Sequence, residues 1–203
     1  MPAYVWLAVA YLLGSVPAAL LVGRWMRGID LREYGSGNLG ATNVYRVLGP
    51  GAALAVFVFD LAKGAVPVIF FPRWTTGHPS DLWPVAYGVA AIVGHIRPVY
   101  LGGKGGGKGV ATASGVFFAL APVPMLIAFI DWLVVLRISR YVSLSSVFAA
   151  STLPFAVAIW YGPRSPLFPG AAAVAAFVIW THRANLARLR AGREPQIGRA
   201  APA

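Results

Sequence analysis

Seven apolar stretches of this chain carry no Asp, Glu, Lys or Arg: residues 1–23, 47–59, 64–72, 82–96, 109–130, 141–163 and 165–181. A bilayer span needs about 20 apolar residues, and a backbone in hydrocarbon must satisfy its own hydrogen bonds. The stretches therefore restrict the chain to an all-α integral membrane protein. Composition agrees. Charged residues are 11% of the 203, against about 25% in a soluble domain, too few to cover a globule in water. That balance excludes a disordered chain and an ordinary cytosolic enzyme. Cysteine is absent from the sequence, which excludes disulfides, thiolate nucleophiles and Cys-zinc sites.

The formal net charge is +11. In a soluble protein this would suggest nucleic acid. In a polytopic chain it reports topology, because Lys and Arg keep loops on the cytoplasmic side. Residues 1–23 lack a basic leader, and Arg24 and Arg27 follow the apolar run, so a retained span with its N-terminus outside is expected. Stretches 47–59 and 64–72 form one span interrupted by Asp60 and Lys63, whose spacing of three puts them on one helical face where they can pair. Residues 73–81 turn the chain back, and His78 in that turn is given no role. Residues 82–101 make the third span.

The remaining basic residues set the count. Crossing twice between 109 and 136, with a turn at Ala121-Pro122-Val123-Pro124, brings the C-terminus to the cytoplasm. Then Arg24, Arg27, Arg32, Arg46, Arg97, Lys104, Lys108, Arg137, Arg140, Arg183, Arg188, Arg190, Arg193 and Arg199 face inside, and only Arg73 and Arg164 face out. The expectation is seven transmembrane helices in a single polytopic domain, 1–203, with cytoplasmic motif segments 24–49, 94–112 and 182–198. Residues 109–121 make only about 20 Å of helix. A glycine-rich loop is expected to dip into the membrane ahead of that short helix, where irregular backbone lines a polar site. There is no internal repeat of the inverted-transporter kind.

Three polar motifs fall on the inner side. The first runs Gly35-Ser36-Gly37-Asn38-Leu39-Gly40-Ala41-Thr42-Asn43, followed by Arg46. It matches G-x-G-x-x-G, but no strand precedes it, so a dinucleotide reading fails. A glycine turn with Ser, Asn, Thr and one Arg suits a phosphate; the bland reading is a connector. The second spans Gly94 to Thr112 and contains Lys104-Gly105-Gly106-Gly107-Lys108-Gly109. It resembles the start of a nucleotide-binding phosphate loop, with Gly109 where a magnesium-binding hydroxyl is required. An NTPase is disfavoured, but glycine amides leading into a helix still bind anions. Two of the chain's three lysines lie here, although its positive charge is mostly Arg, 14 against 3 Lys, which points to a need for a compact ammonium. The third is His182-Arg183-Ala184-Asn185-Leu186-Ala187-Arg188, where His182 and Asn185 share a helical face; its plainer reading is a basic helix resting on anionic lipid. Ser143 stands where it can cap a helix or bond a ligand. His95 can simply bridge two helices.

In this order and spacing, the three motifs resemble those of the bacterial acyl-phosphate:glycerol-3-phosphate acyltransferases, the PlsY family. The likeness covers nearly the whole chain and includes Asp60…Lys63-Gly64 and Ser143-Leu144-Ser145-Ser146. It implies an enzyme of phospholipid synthesis in the bacterial plasma (inner) membrane, with its active site facing the cytoplasm. The implied reaction moves an acyl group from long-chain acyl phosphate to the 1-hydroxyl of glycerol 3-phosphate, giving lysophosphatidic acid and phosphate. No cofactor, metal, nucleotide or nucleic acid is implied; membrane lipid is the other partner. Carried over by position, Ser36, Arg46, Lys108, His182 and Asn185 are catalytic. Gly37, Asn38, Thr42, Asn43, Lys104, Gly105, Gly106, Gly107, Ser143 and Arg188 bind substrate. Leu39 stands where the family usually has Pro, Arg97 replaces an aromatic, and the glycine loop is one residue longer than usual.

Acyl phosphate is an activated anhydride, so alignment and oxyanion stabilisation carry most of the catalysis. A substrate phosphate with a second pKa near ~6 can accept the proton. On that ground His182 is expected to donate a hydrogen bond, with a role as base the competing reading. Thioester-using membrane acyltransferases commonly resemble a His-x-x-x-x-Asp pattern, but Trp83, Tyr100 and Ala187 stand five residues after the three histidines. Two other classes compete: an anionic-lipid transporter, which wants polar residues along its path, and a basic lipid-binding scaffold, which does not need the glycine motifs.

Overall fold

The computed structural model describes residues 1–77 and 82–198; His78 and Arg199 lie outside them. Among the described residues the regular elements are all helices, joined by loops, with one isolated bridge between Pro2 and Thr76. It divides into two compact units, Met1–Leu120 and Ala121–Ala203.

In the first unit, α1 (Ala3–Ser15) and α2 (Ala18–Arg27) are one apolar run broken at Val16-Pro17, where proline withdraws a backbone donor. Gly28, at φ +66°, closes α2. A loop then leads to α3 (Ala41–Leu48), and α4 (Pro50–Trp74) follows with Pro50 in its first turn. Next come α5 (Trp83–Ile96), a 3-10 turn at Val99–Leu101, and α6 (Val110–Leu120). Helix α1 packs on α5, and α4 packs on both α5 and α6. The α4–α6 crossing is tight because Gly64 and Gly115 face backbone: a Cβ on Gly64 would strike the Thr112 carbonyl, and one on Gly115 the Leu61 carbonyl. That contact sets where the glycine loop enters α6. At the opposite end, the Trp6 ring packs at a tilt against Phe71 and Trp74, and the Met1 ammonium donates to the Trp74 carbonyl at 3.0 Å. Aromatic groupings of this kind suit a membrane interface.

The second unit contains α7 (Pro122–Ser139), α8 (Val142–Tyr161), α9 (Leu167–Thr181) and α10 (Arg183–Arg190). Helix α8 packs between α7 and α9, with α10 against α8 and α9. Pro122 starts α7, so the expected proline break is present. Arg140 ends α7 at φ +62°.

Every apolar stretch is helical. Ala3–Arg27, Pro50–Trp74, Pro122–Ser139 and Val142–Tyr161 are long and apolar enough to cross a bilayer, and a fifth segment qualifies if α9 and α10, bent by 52°, count together. The protein is therefore an all-helical membrane protein. The shorter helices α5 and α6, with 14 and 11 residues, fall below the ~30 Å hydrocarbon thickness at 1.5 Å per residue.

Candidate active site

The first motif is held by Asn43, in the first turn of α3. Its Oδ1 accepts the Ser36 amide at 2.8 Å, and its Nδ2 donates to the Leu31 and Tyr34 carbonyls at 3.2 and 3.0 Å. The side chain is 1% exposed. Both amide hydrogens are thus committed to carbonyls, so Asn43 organises the Ser36 loop. Leu39, the departure from the family's proline, is buried with Leu20, Leu31, Val44 and Val56. Burying a leucine contributes about 2 kcal/mol, so it pins the loop by packing. Ser36 is exposed, and Thr42 and Arg46 lie one turn apart on α3. The N-terminus of α3 has no side-chain cap, leaving its first-turn amides suited to an anion. Ahead of Ser36, the Asp30 carboxylate accepts from the Arg32 side chain and amide. These bonds, led by the guanidinium, hold its pKa down to about 2.

The glycine loop lies beside this motif. A Cβ on Gly107 would come 3.1 Å from the Leu39 carbonyl, and one on Gly105 would come 3.5 Å from the Arg32 side chain. Gly106 and Gly107 are wedged against His95 and Ile96. A Cβ on Gly106 would strike both of their carbonyls, one on Gly107 would strike the His95 ring, and the Gly107 amide donates to the His95 carbonyl at 3.2 Å. Only glycine permits this approach. Lys104 is exposed, Lys108 is half-buried, and Gly109 at φ +81° turns the chain into α6. Behind the loop, Lys63 Nζ stands 2.7 Å from Asp60 Oδ1, as the spacing of three anticipates, and His95 Nδ1 lies 3.6 Å from the same oxygen.

In the second unit, His182 forms the junction of α9 and α10, and both His182 and Asn185 are buried. His182 Nδ1 lies 2.8 Å from the Val178 carbonyl. A carbonyl only accepts, so this nitrogen carries the proton, and the neutral ring has its lone pair on Nε2. At Nε2 the neutral ring accepts a proton and the protonated ring donates one, so this geometry suits both the donor and the base role. Ser143 lies inside α8, whose cap position is Tyr141. Its hydroxyl donates to Glu194 Oε1 at 2.8 Å, joined by Asn185 Nδ2 at 2.6 Å, while Arg188 Nε donates to Oε2 at 2.8 Å. Three predicted site residues thus converge on a carboxylate to which the sequence assigned no role. Burial pushes the Glu194 carboxyl up, but hydrogen bonds from Asn185, Ser143 and Arg188 outweigh it and hold the group below its usual range. The available signal was Glu194's isolation as the one acidic residue in a tail of five arginines.

Apolar helices ending in glycine-rich, cationic segments define an integral membrane protein equipped to handle phosphorylated substrates at its surface. A sequence profile described as glycerol-3-phosphate acyltransferase matches residues 4–192, and the chain belongs to that family. It is 47% identical over 195 residues to the glycerol-3-phosphate acyltransferase of Parasynechococcus marenigrum (strain WH8102), covering 96% of this chain and 90% of the relative. The corresponding protein of Trichlorobacter lovleyi (strain ATCC BAA-1151 / DSM 17278 / SZ) is 45% identical, with 95% and 96% covered. The fold is similar to the crystal structure of PlsY (YgiH), an integral membrane glycerol 3-phosphate acyltransferase, in its glycerol 3-phosphate form: TM-score 0.87, 39% identity, 97% of this chain and 96% of that one. The lysophosphatidic acid form of that enzyme matches at TM-score 0.84 and 38% identity, covering 97% and 95%.

Proposed function

We propose that this glycerol-3-phosphate acyltransferase takes its acyl group from acyl phosphate and delivers it to the 1-hydroxyl of glycerol 3-phosphate at the cytoplasmic face of the bacterial inner membrane. The hydroxyl oxygen bonds to the acyl carbonyl carbon, the acyl–phosphate C–O bond breaks, and phosphate departs. The hydroxyl proton goes to His182 Nε2 or to a substrate phosphate. Lys108, the loop amides, Ser36 and Arg46 hold phosphate and stabilise the oxyanion, and Asn185 serves the same reaction. The acyl chain stays in lipid, so seven crossings with the N-terminus outside keep all three motifs on one side.

The observation that carries this reading is the glycine loop: wedged backbone leading through Lys108 into a helix, beside the Ser36 loop. A small anion pocket of this kind accommodates a phosphate leaving group. The purified protein, reconstituted with palmitoyl phosphate and labelled glycerol 3-phosphate, is expected to form lysophosphatidate without magnesium or nucleotide, with inorganic phosphate competing. Robust product from acyl-CoA alone, in a preparation free of acyl phosphate, would overturn the donor. A cysteine at Gly103 should resist impermeant outside reagents; labelling from outside would overturn the topology.

A further inference from the structure

Asp60 and Lys63 are charged, 2% and 3% exposed, and have no part in the transfer described above. Taking an ion pair out of water costs several kcal/mol per ion, and apolar side chains often hold helices together equally well. The pair therefore calls for a role other than helix packing. Its contacts lead to both ends of the glycine loop. Lys63 Nζ donates to the Val16 carbonyl at 3.1 Å, at the break between α1 and α2. Ser15, next to that carbonyl, accepts the Val99 amide on its hydroxyl at 3.3 Å, and Tyr11 on the same helix donates to the Arg97 carbonyl at 2.9 Å. Those two bonds fix the segment entering the loop. Asp60 faces His95 Nδ1, and His95 meets Gly107 through its carbonyl and its ring. That contact fixes the segment leaving the loop, immediately before Lys108. A narrow cleft lined by Ser15, Asp60, Lys63, His95, Gly106 and Gly107 joins the two arms.

We propose that the buried Asp60–Lys63 pair, acting through His95 and the α1–α2 break, positions the glycine loop and so sets where Lys108 presents its ammonium to a substrate phosphate. These are positioning residues; none touches substrate. The inference rests on the reading of the loop as a phosphate site.

The test uses the reconstituted full chain, assayed for lysophosphatidate with palmitoyl phosphate and glycerol 3-phosphate each varied in turn. The double variant Asp60→Leu/Lys63→Met replaces the pair with apolar groups and so removes the unpaired-charge penalty. His95→Ala removes the ring at Gly107 and leaves the pair intact. Both are expected to keep a thermal midpoint close to wild type while raising KM for one phosphate substrate on the order of tenfold, with kcat changed less than about threefold. A merely structural role would not produce that split. Wild-type KM for both substrates in either folded variant would overturn the proposal, and should the double variant fail to fold, His95→Ala decides alone. Lys108→Ala in the same assay separates the two readings. If it is nearly inactive while the other variants keep wild-type KM, only the positioning role falls; if it is nearly normal, the loop is not the phosphate site and both fall.

Discussion

The glycine loop of the first unit and the Glu194 hub of the second both hold functional groups at helix ends, but with opposite materials. The loop is built from backbone: Gly106 and Gly107 lie against carbonyls and a ring where no Cβ fits. The hub is built from side chains: Ser143, Asn185 and Arg188 all donate to one carboxylate. A backbone site is broken by adding atoms and is indifferent to pH. A carboxylate hub is broken by removing charge, and its strength follows the proton.

The sharpest test of the loop is its cation. Lys108→Ala is expected to cost about 2–4 kcal/mol of transition-state stabilisation, as for the loss of a charged group facing a developing anion, which amounts to near loss of turnover. Lys108→Arg should also be damaged, because a planar guanidinium replaces a compact ammonium in a space shaped by glycine. Steady-state kinetics at saturating acyl phosphate would measure both. Near-normal activity of the alanine variant would reduce the loop to a linker and erase the contrast.

The next largest effect falls on His182. With Nδ1 bonded to the Val178 carbonyl, the neutral ring accepts at Nε2. With His182 as the base, His182→Gln is expected to lower kcat on the order of a hundredfold and to remove the acid limb of the pH–rate profile. A variant that keeps the wild-type profile would assign the proton to substrate phosphate and leave His182 as an orienting group.

Much of this was legible in the sequence because it is local. Charge-free runs gave the helices, Pro122 gave a break, and the spacing of three between Asp60 and Lys63 gave their 2.7 Å pairing. The inward turn of Asn43, the docking of His95 on Gly107 and the convergence on Glu194 were not legible. Each joins residues that no single helix carries, from 6 positions apart for Arg188 and Glu194 to 51 for Ser143 and Glu194, and no periodicity encodes such a meeting. Glu194 in particular reads locally as one acid diluting a basic tail.

Glu194 gives the third prediction. Removing a buried acceptor of three hydrogen bonds, one from a guanidinium, should cost about 2–3 kcal/mol of stability in Glu194→Ala, with Glu194→Gln intermediate because the amide oxygen still accepts. Thermal unfolding in detergent measures this. The folded carboxyl titrates below its unfolded value of about 4.3. Its stabilisation is therefore fully present above that value and is lost as pH falls through the folded pKa. Wild type should lose stability on acidification below about pH 4 more steeply than Glu194→Gln. Equal slopes would mean the hub does not depend on its charge.

The smallest expected effect separates the buried Glu194 carboxylate from the half-buried Asp30 carboxylate, whose pKa is also lowered. Asp30 is held at about 2 by Arg32, with a smaller contribution from Arg24. Its sign is the same: the stabilisation is present above the unfolded value of about 3.9 and is lost as pH falls toward the folded value. The arginines around it are exposed, with side-chain accessibilities of 42% and 60%, so solvent and salt screen the attraction and little of the shift reaches the fold. Asp30→Asn is expected to move the thermal midpoint by less than about 2 °C and to leave kcat/KM within about twofold, because Asn43, not Asp30, holds the Ser36 amide. Even that difference should vanish in about 0.5 M salt, whereas the Glu194 effect should persist. A large, salt-resistant loss in Asp30→Asn would show that the Ser36 loop, like the second unit, hangs on a carboxylate.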